Sequence, residues 1–141
     1  MKNKSILKFE DYYVDEFIFE KNKDFKISSE EKTELNLNFD FETERHNSEK
    51  FIRKINCKIF NKNYKENNKP FYLNIKISGI FHFPNYDENN QRDNEIIQKN
   101  TLAILFPYVR SIISHMTMEM QIEPVRLPPM NIKSFFEENN N

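Results

Sequence analysis

Residues able to do covalent or metal chemistry are few and scattered in this sequence. The single cysteine, Cys57, lies among alternating apolar residues, and the three histidines fall on three different predicted elements, at His46, His82 and His115. None of these spacings matches the short pairs from which metal sites are built. There is no glycine-rich phosphate loop and no serine in a nucleophile elbow, and the carboxylates are dispersed. We therefore expect no catalytic residue, no metal and no cofactor, and we expect that the protein is not an enzyme.

Binding chemistry is better represented, because the apolar content is concentrated in large rings. The 141 residues include 14 Phe and 6 Tyr but no Trp, with 38% hydrophobic and 30% charged residues. The formal net charge of -1 lacks the basic field of a general nucleic-acid binder. One cysteine cannot form an internal disulfide, which fits a reducing compartment. No signal peptide or spanning segment is visible, so we expect one cytoplasmic domain over residues 1–141.

Alternation of apolar and polar residues predicts four strands within residues 6–83. The clearest is the second, in which Leu35, Leu37, Phe39 and Phe41 alternate with polar residues. The other three are expected at 6–20, 51–59 and 71–83. Gly79, the only glycine, is expected to mark a bulge or a close backbone approach in the last strand.

After the strands the apolar spacing changes to that of a helix over residues 93–121, with Asp93 or Asn94 as its cap. Pro107 predicts a kink, or a fresh start of the helix near Ala103. A second, short helix is expected over residues 132–138. The fold class is therefore α+β: a four-stranded antiparallel sheet, one long kinked helix that covers the aromatic face of the sheet, and a short C-terminal helix.

The C-terminal part carries a pattern that resembles the SecB family of export chaperones. Residues 105–110 read LFPYVR, Ile112, Ile113 and Ser114 follow, and residues 127–136 read LPPMNIKSFF. The family pattern is an Ile/Leu-Leu-Phe-Pro-Tyr-Ala-Arg run, a helix, and then Leu-Ala-Pro-Val-Asn-Phe with a paired Leu-Phe. Weaker similarity extends upstream to the first, second and fourth strands, so the resemblance covers most of the chain and implies a SecB-like fold.

The resemblance implies a cytoplasmic, ATP-independent holdase for unfolded or precursor polypeptides, assembled as a dimer of dimers with apolar client grooves. Large, soft side chains suit such promiscuous binding. The expected client-binding residues come from the crossover loop, the second strand and the last helix: Phe25, Ile27, Leu35, Leu37, Phe39, Phe41, Phe135 and Phe136. The alternative for the second strand is that the helix covers its apolar face completely.

Glu16 and Glu20 match the acidic positions with which the family's sheet meets the translocation motor SecA. Asn74, however, stands where the family has another acidic residue, and the third strand carries Lys54 and Lys58. The segment after the last helix is also shorter than the family's motor-docking tail. These departures leave two interpretations open, a general export chaperone and a SecB-like chaperone dedicated to one client, such as a cognate antitoxin.

An alternative from another class is a module that stacks single-stranded nucleic acid on the sheet. Tyr72 with Lys54, Lys58 and Lys76 would then form the outward surface. The balanced charge of the chain disfavours this interpretation, and we expect no nucleic-acid partner.

Overall fold

Four strands precede one helical segment, as the sequence predicts. The computed structural model describes residues 6–26, 35–122 and 127. The strands are β1 (Lys8–Lys21), β2 (Leu37–Arg45), β3 (Lys50–Ile59) and β4 (Phe71–His82). They form an antiparallel sheet in the order β1-β4-β3-β2, which confirms the predicted fold class and makes β1 and β2 its edge strands.

The helical segment consists of α1 (Gln91–Glu95), a π-helical turn (Ile96–Asn100) and α2 (Thr101–Glu119). The predicted cap was wrong, because Asn90 caps α1 by accepting a hydrogen bond from the backbone N–H of Asp93. Asparagine is well suited to this role because its side-chain oxygen satisfies one of the free N–H groups of the first turn. The predicted helix over residues 132–138 lies outside the described residues.

The irregular turn of the helix lies before Pro107, and α2 runs through that proline. The buried Arg53 of β3 contacts the π-helical turn, since its Nη2 donates to the carbonyl of Gln98 at 3.0 Å. Its Nη1 donates to Thr43 Oγ1 at 2.9 Å. Burial lowers the pKa of Arg53 to about 10. Through the hydrogen bond to Gln98, Arg53 therefore joins β3 to the turn that precedes α2.

The described residues divide into two compact units. Unit 1 comprises 6–11, 43–53 and 79–122 with Leu127, and unit 2 comprises 12–26, 35–42 and 54–78. Each unit contains part of all four strands, and the helical segment belongs to unit 1. The prediction of a single domain over residues 1–141 stays a prediction.

In unit 1, α2 packs on the sheet through one face. Leu102, Leu105, Val109 and Ile113 recur at helical spacing and are fully buried. The approach is closest at Gly79, where an added Cβ would lie 2.5 Å from a methyl carbon of Leu105. Nearby, the ring of Phe9 lies 5.3 Å from that of Phe81. The glycine therefore leaves room for the side chains of Leu105 and Phe81, and the predicted bulge or close backbone approach stays a prediction.

Unit 1 also holds its β4–α1 connector with polar contacts. Glu49 accepts a hydrogen bond from the backbone N–H of Asn85 at 2.7 Å, and its other oxygen lies 3.3 Å from His82 Nε2. The guanidinium of Arg45 lies 5.0 Å from the ring centre of Tyr86. The connector is thus attached through the neighbouring residues Asn85 and Tyr86 to the end of β2 and the turn that follows it.

In unit 2, the apolar sets of the two central strands are buried. Ile55, Cys57 and Ile59 of β3 are at most 1% exposed, as are Leu73, Ile75 and Ile77 of β4. Three aromatic rings pack together where β4 begins. The ring centre of Phe71 lies 5.5 Å from that of Phe19 and 5.3 Å from that of Phe60. The central strands therefore supply the core that the alternation predicts.

Candidate functional site

The apolar set of β2 differs from those of the central strands because solvent still reaches it. Leu37, Phe39 and Phe41 are only half-buried, and Leu35, which precedes the strand, is 38% exposed. We call Leu35, Leu37, Phe39 and Phe41 the β2 row. It lies on an edge strand, beyond which no further strand pairs among the described residues. The alternative that this face is completely covered is therefore wrong for the chain as described.

The β2 row presents its large side chains as a continuous surface. The rings of Phe39 and Phe41 stack with their centres 6.3 Å apart and their planes 21° apart. Alternate residues Asn38, Asp40 and Glu42 are exposed and polar. Adjacent apolar side chains at a sheet edge can accept an extended polypeptide, because its side chains alternate with the same period of two residues.

The other predicted client-binding residues are only partly described. Phe25 is half-buried, and its backbone N–H donates to the carbonyl of Asn22 at 3.3 Å in the turn that follows β1. Ile27, Phe135 and Phe136 lie outside the described residues. The structure therefore describes the β2 row and Phe25, and the client-binding role of all eight residues stays a prediction.

Glu16 and Glu20 lie on β1, where Glu16 is partly neutralised. Its Oε2 lies 3.8 Å from Lys76 Nζ, and both side chains are about half exposed. The pKa of Tyr72 is raised chiefly by burial and secondarily by the negative charges of Glu16 and Glu20, against a hydrogen bond with Asn74 that lowers it. The two carboxylates thus share a region of β1 and β4, and their contact with a motor stays a prediction.

A cleft of about 630 Å³ lies across the strands of unit 2, and it is lined by Phe41 of the β2 row and by charged residues of both signs. Ile55 and Ile77 also line it, yet each is only 1% exposed, so the cleft opens on the face opposite their side chains. The charged residues that line it are Asp15, Asp40, Glu42, Lys54 and Lys76. The lysines on the central strands therefore interrupt what would otherwise be an acidic surface.

Tyr72 is not the exposed ring that the nucleic-acid alternative requires. It is 3% exposed, and the ring of Tyr64 stacks on it with centres 6.3 Å apart. Base stacking needs an accessible aromatic face. The sequence did not predict this cover, because Tyr64 stands in a polar loop without regular apolar spacing.

The Cys57 thiol is buried. Burial raises the pKa of the Cys57 thiol to about 12, so the nucleophilic thiolate is scarce near neutral pH. No three His, Cys, Asp or Glu side chains of the described ranges come together in a way that could hold a metal ion.

Tyr108 and Arg110 contribute to the packing of unit 1. The Tyr108 ring lies 5.6 Å from that of Phe9, and Arg110 Nε donates a hydrogen bond to the Leu127 carbonyl at 3.2 Å.

The fold is α+β, and the apolar residues of its β2 edge strand are still reached by solvent. Comparison with known proteins agrees: the family model of the preprotein translocase subunit SecB matches residues 1–141. The chain belongs to the SecB family, which comprises chaperones rather than enzymes. The predicted resemblance is thereby confirmed. Within the helices that the structure describes, none has the length and apolar content needed to cross a membrane.

Two relatives and one solved structure give the range of similarity. The chain is 37% identical over 132 residues to an uncharacterized protein of Methanocaldococcus jannaschii, covering 92% of this chain and 81% of that protein. It is 22% identical over 110 residues to the protein-export protein SecB of Rickettsia akari, covering 77% and 70%. Its fold is similar to a SecB-like chaperone of Mycobacterium tuberculosis in complex with a ChAD peptide from the HigA1 antitoxin, with a TM-score of 0.65, 13% identity and coverage of 89% and 88%.

Proposed function

We propose that this chain is an ATP-independent holdase of the cytoplasm that binds unfolded or precursor polypeptides along the β2 row. The observation that carries the proposal is the accessibility of the β2 row, beside central strands whose apolar residues are buried. Accessible apolar patches on a folded protein usually mark interaction surfaces. Phe25 extends the binding surface, and Ile27, Phe135 and Phe136 complete the proposed groove.

The test is suppression of client aggregation. A chemically unfolded model client is diluted into buffer with the protein, with and without ATP, and light scattering is followed. We expect suppression that does not depend on ATP. Changing Phe39 and Phe41 together to serine should weaken client binding about tenfold or more, because two large rings lose their apolar contact area.

The matched control is Asn38→Ser, an exposed polar position on the same strand. It should leave suppression unchanged. If the double serine variant remained folded by circular dichroism and suppressed aggregation as well as the unchanged protein, client binding along the β2 row would be refuted.

The proposed assembly is a dimer of dimers, as the family resemblance implies. Mass measurement of the purified protein, alone and with a substoichiometric unfolded client, tests it. The expected result is a tetramer that gains the mass of the client, whereas a monomer that binds no client would contradict both the assembly and the holdase function.

A chaperone dedicated to one client, such as a cognate antitoxin, is a second candidate. Two observations favour it: the fold is similar to a SecB-like chaperone bound to an antitoxin peptide, and Lys54 and Lys76 interrupt the acidic surface beside Glu16. A general export chaperone should suppress several unrelated clients at similar ratios and bind the SecA motor through Glu16 and Glu20. A dedicated chaperone should protect one client and leave SecA unbound.

A further inference from the structure

Two loops of unit 2 are joined by hydrogen bonds at the end of β1 and the start of β4. The backbone N–H of Asn22 donates to the Pro70 carbonyl at 2.9 Å, and its side chain donates to the Lys69 carbonyl at 3.0 Å. Asn68 and Lys26 exchange two further hydrogen bonds, each 3.1 Å long. These contacts hold residues 21–26 against residues 61–70, which we call together the lysine loops.

The lysine loops concentrate positive charge. They contain six lysines but only two acidic residues, Asp24 and Glu66, so their formal charge is +4 (six minus two). Residues 27–34, which follow the first loop in the sequence, contain three Glu and one Lys, so the formal charge is still positive, at +2 (four minus two), when they are included. The whole chain, by contrast, has a formal charge of -1. Because Lys23, Lys26, Lys62 and Lys65 are exposed, their ammonium groups are accessible to a ligand. Like charges held together repel one another, and an anionic partner would relieve that repulsion.

The aromatic residues in the lysine loops, and Phe60 directly before the second loop, indicate which kind of anionic partner fits. Lys65 Nζ lies 5.7 Å from the centre of the Tyr64 ring, and Lys69 Nζ lies 5.7 Å from that of Phe60. Both rings are buried, so they offer no accessible face on which a nucleotide base could stack. Phe25, by contrast, is only half-buried, and it stands between Lys23 and Lys26 in the sequence. Its ring can therefore contact an apolar side chain of the ligand.

We propose that the lysine loops select client segments in which carboxylates flank an apolar stretch. The apolar stretch occupies Phe25 and the β2 row, and Asp or Glu side chains next to it pair with Lys23, Lys26 and Lys62. This inference rests on the proposed holdase function and adds a charge preference to it. The partner class is an unfolded acidic–apolar polypeptide, because charge complementarity and one accessible ring are both present in the lysine loops.

The test uses three fluorescent peptides with one shared apolar core and flanks of Glu, Gln or Lys. Fluorescence anisotropy measures their dissociation constants at low and high salt. The Glu-flanked peptide should bind roughly tenfold more tightly than the Gln-flanked one at low salt, since several exposed ion pairs each contribute modestly. The Lys-flanked peptide should bind most weakly. Salt should reduce these differences because it screens exposed charges.

Two matched triple variants each remove three positive charges, one from the lysine loops and the other from unit 1. Lys23→Gln, Lys26→Gln and Lys62→Gln together should bring the ratio of Glu-flanked to Gln-flanked affinity close to one. The control combines Lys8→Gln, Arg92→Gln and Lys99→Gln in unit 1 and should keep the ratio of the unchanged protein. Circular dichroism checks that both variants are folded, and the salt series on the unchanged protein tests the preference without any substitution.

The outcomes separate the charge preference from the holdase function. Failure of every peptide to bind would refute the holdase function itself. Equal binding of the Glu- and Gln-flanked peptides would refute only the charge preference. An oligouridylate that binds the lysine loops more tightly than the Glu-flanked peptide, and displaces it, would overturn the proposal in favour of a nucleic-acid surface.

Discussion

Leu105 of α2 and Leu37 of β2 are the same residue type, yet their surroundings differ. Leu105 is fully buried against Gly79 and Phe81 in unit 1, whereas Leu37 is half-buried on the edge strand of unit 2. One leucine completes a close-packed helix–sheet layer, and the other belongs to an accessible apolar row. The comparison shows that apolar content alone does not distinguish a core from a binding surface, because the number of covering elements decides between them.

Truncation of the two leucines gives the largest expected contrast. Leu105→Ala should lower the free energy of unfolding by about 2–5 kcal/mol, because it removes buried methyl groups and leaves a cavity. Leu37→Ala should cost about 1 kcal/mol or less, because half of its side chain is already in water. Urea unfolding at one fixed protein concentration measures both. Equal losses in the two variants would mean that the β2 row is as closely packed as the helix interface.

Gly79→Ala tests the packing between the sheet and α2, and its expected effect is smaller than that of Leu105→Ala. The added Cβ would lie 2.5 and 2.8 Å from the Leu105 methyl carbons and 2.9 Å from Phe81 Cε2. We expect a loss of about 1–3 kcal/mol in the free energy of unfolding from this overpacking. In a Leu105→Ala background the same substitution should cost much less, because the nearest carbons are gone. The double-mutant cycle in urea measures the coupling, and an absence of coupling would contradict the close approach.

Glu49→Gln gives the smallest expected effect and concerns the polar part of unit 1. The hydrogen bond from the Asn85 N–H, followed by the contact with His82, lowers the pKa of Glu49. In the unfolded chain the pKa of a Glu carboxyl is about 4.3, so the ionised side chain stabilises the fold above that pH. This contribution is lost as the pH falls through the lower pKa of the folded state.

The measurement is the urea midpoint of both proteins at neutral pH and near pH 3. We expect Glu49→Gln to lower the midpoint at neutral pH and to have little effect once the carboxyl of the unchanged protein is protonated. A difference of the same size at both pH values would show that the side chain acts through its shape rather than its charge.

The strands were predictable because their period of two residues is local information. β2 and β3 were expected within two residues of their observed starts. The apolar residues that the alternation assigns to one face of β4 are buried, but Tyr72, Asn74 and Ser78 on the predicted outward face are buried as well. The position of Gly79 in β4 was also informative, since a residue without a Cβ leaves room for neighbouring side chains. The family resemblance came from a contiguous proline-containing pattern in residues 105–136, which needs no knowledge of distant contacts.

Other features depend on contacts between residues far apart in the chain. Asn90 rather than Asp93 caps α1, because several Asn and Asp residues there have similar propensities and the backbone geometry selects one. Tyr64 covers Tyr72 from a loop whose sequence has no periodic signal. The lysine loops join through Asn22 and Asn68, which act across more than 40 residues of sequence.

The sequence by itself determined the four-stranded antiparallel sheet, the helical segment after it and the membership in the SecB family. Only the tertiary structure decided that the β2 row stays accessible, that Glu16 lies beside Lys76, and that two lysine-rich loops form one surface. The physical reason is that periodicity and local motifs are encoded over a few residues. Exposure and charge pairing are set by which distant elements cover a side chain.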